Sequence, residues 1–104
     1  MKKTIDRLTY NTETATEVAS ITYGSGMRDF RYYSEGLYQT DKGRWFLAGE
    51  GGAMTRYAVP IGDNSWSGGE SISTLTAEEA LDWCEKHDKS GVITQYFSHL
   101  VKEA

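Results

Sequence analysis

Cys84 and His87 stand three residues apart, with Asp88 beside them and His99 a short helix further on. Such side chains ligate zinc, and a thiol one helical turn from an imidazole is also the start of a nucleophilic pair. Neither chemistry is complete here. Structural zinc takes four ligands, and its strong signature is a set of closely spaced cysteine pairs, whereas this chain has one cysteine. A cysteine nucleophile needs a third group to orient its base. Cys84 also falls on an apolar helical stripe, where a thiol behaves as a small hydrophobe with a raised pKa. The pattern predicts no metal ligand and no catalytic nucleophile.

The second candidate is "GRWFLAGEGGAM" (43–54), a strand-like run ending in glycines. A phosphate loop requires G-x-x-x-x-G-K-[ST], and a dinucleotide fingerprint requires G-x-G-x-x-G ahead of a helix. In "GEGGAM" Met54 occupies the last glycine's place and no Lys-Ser or Lys-Thr follows. The continuation "TRYAVPIG" carries Pro60 and β-branched residues, which oppose a helix N-terminus for phosphate. The stretch therefore reads as a strand running into a glycine-permitted bend. Ser65, Ser67, Ser71 and Ser73 lack a G-x-S-x-G elbow. No catalytic residue, metal or cofactor is expected, and the chain is predicted not to be an enzyme. A small hydrolase or transferase using the 49–69 loop as a lid is the alternative that a deep polar pocket would revive.

Charge points toward a binding protein. Residues 1–52 carry seven basic and seven acidic side chains and residues 53–104 four and eight, so the net charge of −4 lies in the second half. The pairs Lys2/Lys3, Arg28/Arg31 and Lys42/Arg44 are offset by nearby acids. No basic face emerges for direct nucleic-acid binding. Glu78, Glu79, Asp82 and Glu85 instead form an acidic row that suits a basic protein surface. Seven tyrosines and three tryptophans add residue types enriched at binding hot spots. Tyr32, Tyr33, Tyr57 and Trp66 lie in or beside irregular segments, which puts some of them at the surface. Glu78, Glu79, Asp82, Glu85, Tyr57 and Trp66 are the expected partner-binding residues.

These residues need elements to hold them. "TIDRLTY" (4–10) and "TEVASITYG" (16–24) read as two strands of a hairpin, with Ala19, Ile21 and Tyr23 on one face and Val18, Ser20 and Thr22 on the other. "GSGMRD" (24–29) is a glycine-rich turn. "FRYYSEGLYQT", "DKG" and "RWFLAGE" form the clearest signal, a second hairpin with Tyr38 and either Trp45 or Phe46 as cross-strand partners. An irregular connection follows over 49–69, and "ESISTL" returns a short strand to the sheet. Thr76 and Glu79 make a capping box for a helix over 77–88, with Ala77, Ala80, Leu81 and Cys84 inward and Glu78, Asp82 and Glu85 outward. Ser90 and Gly91 break it, and a second helix buries Val92, Ile93, Tyr96, Phe97, Leu100 and Val101. The expectation is a single α+β domain over 1–104. It should hold an antiparallel sheet of about four to five strands built from hairpins, with two C-terminal helices packed on one face. No apolar run approaches a membrane span and "MKKTIDRL" lacks the apolar stretch of a secretory signal, so a cytoplasmic location is expected.

The segments "YNTETATEVAS", "LYQTDKGRWFLAGEGGAM", "WSGGESI" and "LTAEEALDWCEKH" resemble a widespread group of small uncharacterised proteins carried on bacterial phages, plasmids and integrative elements. The likeness spans 10–87. Some members of such clusters look like anti-CRISPR proteins, small acidic domains that bind a Cas effector and stop it engaging DNA. The resemblance implies a non-enzymatic inhibitor whose partner is a CRISPR–Cas effector subunit, and it carries over no catalytic motif. An accessory or regulatory mobile-element protein, acting as a homodimer through a tyrosine-rich sheet face, is the alternative.

Overall fold

The computed structural model describes residues 1–26 and 28–104; Met27, within the turn expected over 24–29, lies outside the described residues. In chain order the elements are β1 (Lys2–Ile5), β2 (Leu8–Asn11), β3 (Thr16–Tyr23), β4 (Tyr33–Gln39), β5 (Trp45–Gly51), β6 (Val59–Pro60), β7 (Trp66–Ser67), β8 (Gly69–Leu75), α1 (Ala77–Lys86) and α2 (Ser90–Tyr96). A 3₁₀ turn, Ser98–Leu100, follows.

Asp41, Lys42 and Gly43 set the centre of the fold. The Thr40 amide donates to the Arg44 carbonyl at 2.8 Å and the Gly43 amide to the Thr40 carbonyl at 2.9 Å. Gly43 takes φ +84°, a conformation costly to any residue with a Cβ. The turn closes β4 and β5 into the expected hairpin, whose register puts Tyr38 opposite Phe46, their rings stacked 5.1 Å apart. β3 joins along β4 and β8 along β5, giving an antiparallel sheet of order β3-β4-β5-β8.

The run "WFLA" in β5 is buried on both faces of that sheet, which explains why it is continuously apolar rather than alternating. Trp45 and Leu47 meet Leu37, Ala80, Leu81, Trp83, Cys84 and Phe97 on the helical side. Phe46 and Ala48 meet Tyr10 and Ile72 on the other side, beneath the β1–β2 hairpin. Each fully covered large apolar side chain contributes about 1.5–3 kcal/mol, so both layers stabilise the sheet. The fold is α+β, mostly strands, with two helices near the C-terminus, as the pattern of hairpins before helices predicts. Among the described residues no helix is long and apolar enough to cross a membrane.

Several local expectations are corrected. "TIDRLTY" is not one strand, because Asp6 and Arg7 take φ of 52° and 68° and fold β1 back on β2 in a two-residue turn. In β3 a bulge between Glu17 and Ala19 turns Val18 toward the helical core together with Ala19 and Ile21. The capping box forms, with the Glu79 amide donating to Thr76 Oγ1 at 3.1 Å and the Thr76 amide to Glu79 Oε1 at 2.9 Å. α1 ends at Lys86, however, and buries Trp83 where Ala77 was expected. Ser90 and Gly91 begin α2 instead of separating the helices, and Leu100 and Val101 lie exposed beyond it. The 49–69 connection is partly ordered: β5 continues through Gly51, and β6 pairs with β7.

Candidate functional site

Alternation along β4 carries Glu35 to the helical face between Tyr33 and Leu37, where it is 4% exposed. Burying a carboxylate costs several kcal/mol unless donors replace its water. Three segments supply them. Trp83 of α1, 48 positions along the chain, donates its indole N–H to Oε1 at 3.0 Å. Tyr57 donates its hydroxyl to Oε2 at 2.5 Å, and the Arg56 guanidinium stands 3.4 Å from the same oxygen.

Tyr57 reaches Glu35 through the backbone around it. The Gly52 and Met54 amides donate to the Tyr32 and Phe30 carbonyls at 2.8 and 2.9 Å, which seats the bend after β5 against the chain entering β4. Thr55 Oγ1 then donates to the Gly52 carbonyl and accepts the Tyr57 amide. The Tyr57 ring lies directly over Gly49, where a Cβ would fall on the phenol hydroxyl. That explains the glycine in the middle of β5. Burial, then the hydrogen bond to Glu35, pushes the Tyr57 pKa well above its ordinary value, so the phenol stays a donor. The result is a clamp joining sheet, bend and helix.

Above the clamp is a cavity of about 380 Å³ lined by Tyr23, Arg31, Tyr33, Met54, Lys86 and His87, among others. Tyr23 and Tyr33, paired across β3 and β4, stack 5.5 Å apart. His87 packs on Trp83 with ring centres 4.8 Å apart. Burial lowers its pKa, with Lys86 and Lys89 adding to the effect and Glu35 opposing it.

A larger groove of about 580 Å³ opens at the same end of the sheet, over the face opposite α1. Phe30, Tyr32, Ile61 and Trp66 form its walls, and Gly51, Gly52, Gly68 and Gly69 contribute bare backbone. Glu50 and Glu70 also line it, directly opposite each other in the β5–β8 register. Like charges so placed repel, and among the described residues the one ion pair is Arg56–Glu35.

The structure divides the residues expected to form one contact surface. Glu78, Asp82 and Glu85 are exposed on α1. Glu79 is exposed too, but its carboxylate is engaged in the helix cap. Trp66 is exposed at the groove. Tyr57, expected among the surface aromatics, is 5% exposed and belongs to the clamp, because the missing side chain of Gly49 lets its ring sink onto the sheet. Cys84 is fully enclosed in the helical core and burial raises its pKa. Among the described residues no group of three or more His, Cys, Asp or Glu side chains could hold a metal ion. Glu35, Arg56 and Trp83 were missed by reading the sequence, although Glu35 left a signal as a charge two residues from Leu37 and so in phase with it along the strand. Comparison with protein-family models, with curated proteins and with solved structures finds no match to the chain.

Proposed function

We propose that this protein acts by binding and inhibiting another protein, without catalysis of its own, and that its partner is a subunit of a CRISPR–Cas effector complex in a bacterial cytoplasm. The observation supporting binding is the groove at Trp66. Phe30, Ile61 and Trp66 are 66, 63 and 58% exposed and gather around it. Apolar surface concentrated in one place marks an interaction site, and buried aromatic anchors carry a large share of binding energy. Glu50 and Glu70 within the groove favour a partner with basic residues at the contact. The partner class rests on the resemblance to mobile-element proteins.

Because α1 lies across the sheet from the groove, its acidic row serves to steer a basic partner rather than to extend the Trp66 contact. Inhibition of DNA cleavage by the Cas complex tests both parts. Trp66→Ala is expected to weaken inhibition about thirtyfold, as loss of a hot-spot anchor does. Reversing Glu78, Asp82 and Glu85 to lysine should slow association and flatten its dependence on salt. Unchanged inhibition by Trp66→Ala removes the groove from the contact. Full CRISPR immunity against phage in cells expressing the wild-type protein overturns the choice of partner.

A further inference from the structure

The cavity on the helical face gathers cationic side chains that lie far apart in the sequence. Arg31 comes from the chain entering β4, Arg56 from the bend after β5, and Lys86 from the last turn of α1, and all three line one space of about 380 Å³. That volume lies within the range of small-ligand pockets. In a chain of net charge −4 it is a local reversal of sign. Among the described residues Glu35 is the one carboxylate lining the cavity, and Tyr57, Trp83 and Arg56 already occupy its oxygens. Arg31 and Lys86 have no carboxylate within ion-pair distance among the described residues. Their donors are free to meet an anion.

Part of the remaining wall is planar and aromatic, beside Met54 and Thr55. Tyr23 and Tyr33 are stacked on each other at 24° between ring planes, and Tyr23 is 56% exposed. An exposed ring already held in place loses little freedom when a flat ligand stacks on it, and such stacking tolerates any base. Guanidinium and ammonium groups beside an aromatic platform are the elements that recognise a phosphate attached to a planar base. We propose that this cavity binds a nucleotide, its phosphate between Arg31, Arg56 and Lys86 and its base against the Tyr23–Tyr33 pair. The ligand is either a free mononucleotide or one nucleotide of a single strand, and the site is independent of the Trp66 groove.

Calorimetric titration of the whole protein at low ionic strength separates these cases, with AMP, adenosine, inorganic phosphate and a single-stranded oligonucleotide as probes. AMP should bind saturably, and both adenosine and phosphate at least about tenfold more weakly, because each lacks half of the recognised chemistry. Tighter binding of the oligonucleotide than of AMP would identify the strand as the source; the reverse would identify the free nucleotide. Arg31→Ala and Lys86→Ala each remove an exposed charge outside the clamp, so both should fold and each weaken AMP about tenfold. Tyr23→Ala should do the same through loss of stacking. Trp66→Ala should leave AMP binding unchanged even if it abolishes partner inhibition. The proposal is overturned if neither AMP nor the oligonucleotide binds saturably. It is equally overturned if phosphate alone binds as tightly as AMP, or if the Arg31, Lys86 and Tyr23 variants, with melting temperatures near wild type, bind AMP as wild type does.

Discussion

Glu35 shows how a single buried charge can organise a small domain. Its two oxygens take donors from the bend and from α1, so the side chain is satisfied only when sheet, bend and helix are all in place. Replacing it with glutamine keeps the volume but turns one acceptor into a donor that faces the Tyr57 hydroxyl or the Trp83 indole. Glu35→Gln is therefore expected to lower unfolding free energy by about 2–4 kcal/mol, measured by urea denaturation. Tyr57→Phe should cost less, and the double variant less than the sum, since both remove the same bond. Neither Glu35 nor Tyr57 was legible as a pair, because nothing in the local sequence says that positions 22 apart meet. The phase of β4 and the glycine at 49 were visible, but only the fold shows that they serve one another.

At the scale of elements, what could be read depended on whether the signal was local. The Asp41-Lys42-Gly43 turn and the Thr76/Glu79 cap were legible because each is completed within a few residues. The Asp6-Arg7 turn was not, since Arg7 stands where the glycine of an Asp-Gly turn would announce a positive φ. The bulge at Glu17 to Ala19 was hidden for a different reason: two residues opposing one shifts the facing of Val18 without changing composition. α1 carries the indole of the clamp, so its start matters beyond the helix. Thr76→Ala removes the hydroxyl acceptor of the cap and should cost about 1 kcal/mol. A lowered urea midpoint with an unchanged slope would confirm that cost, and an unchanged midpoint would show that packing alone holds the helix start.

Across the whole molecule, stability should respond to alkaline pH in a direction set by two tyrosines. Burial and a hydrogen bond to Glu17 push Tyr38 from an ordinary 10.0 up to about 12, and the clamp raises Tyr57 as well. Phenols that hold their protons more tightly when folded contribute stability that is complete below pH 10.0 and is lost as pH rises through the folded-state values. The urea midpoint should therefore fall between about pH 10 and 12, and fall less in Tyr57→Phe than in wild type. The two open sites also owe their positions to the whole chain. Each draws on the residues entering β4 and on the bend after β5, then takes further walls from β3, β4 and α1 on one face or from β7 and β8 on the other. Cys84, sealed among Leu37, Leu81 and Phe97, has a further practical meaning. A dye-bearing maleimide added to the native protein finds no thiol to attack, so a cysteine engineered at the rim of either opening would carry the label alone and report occupancy of that opening.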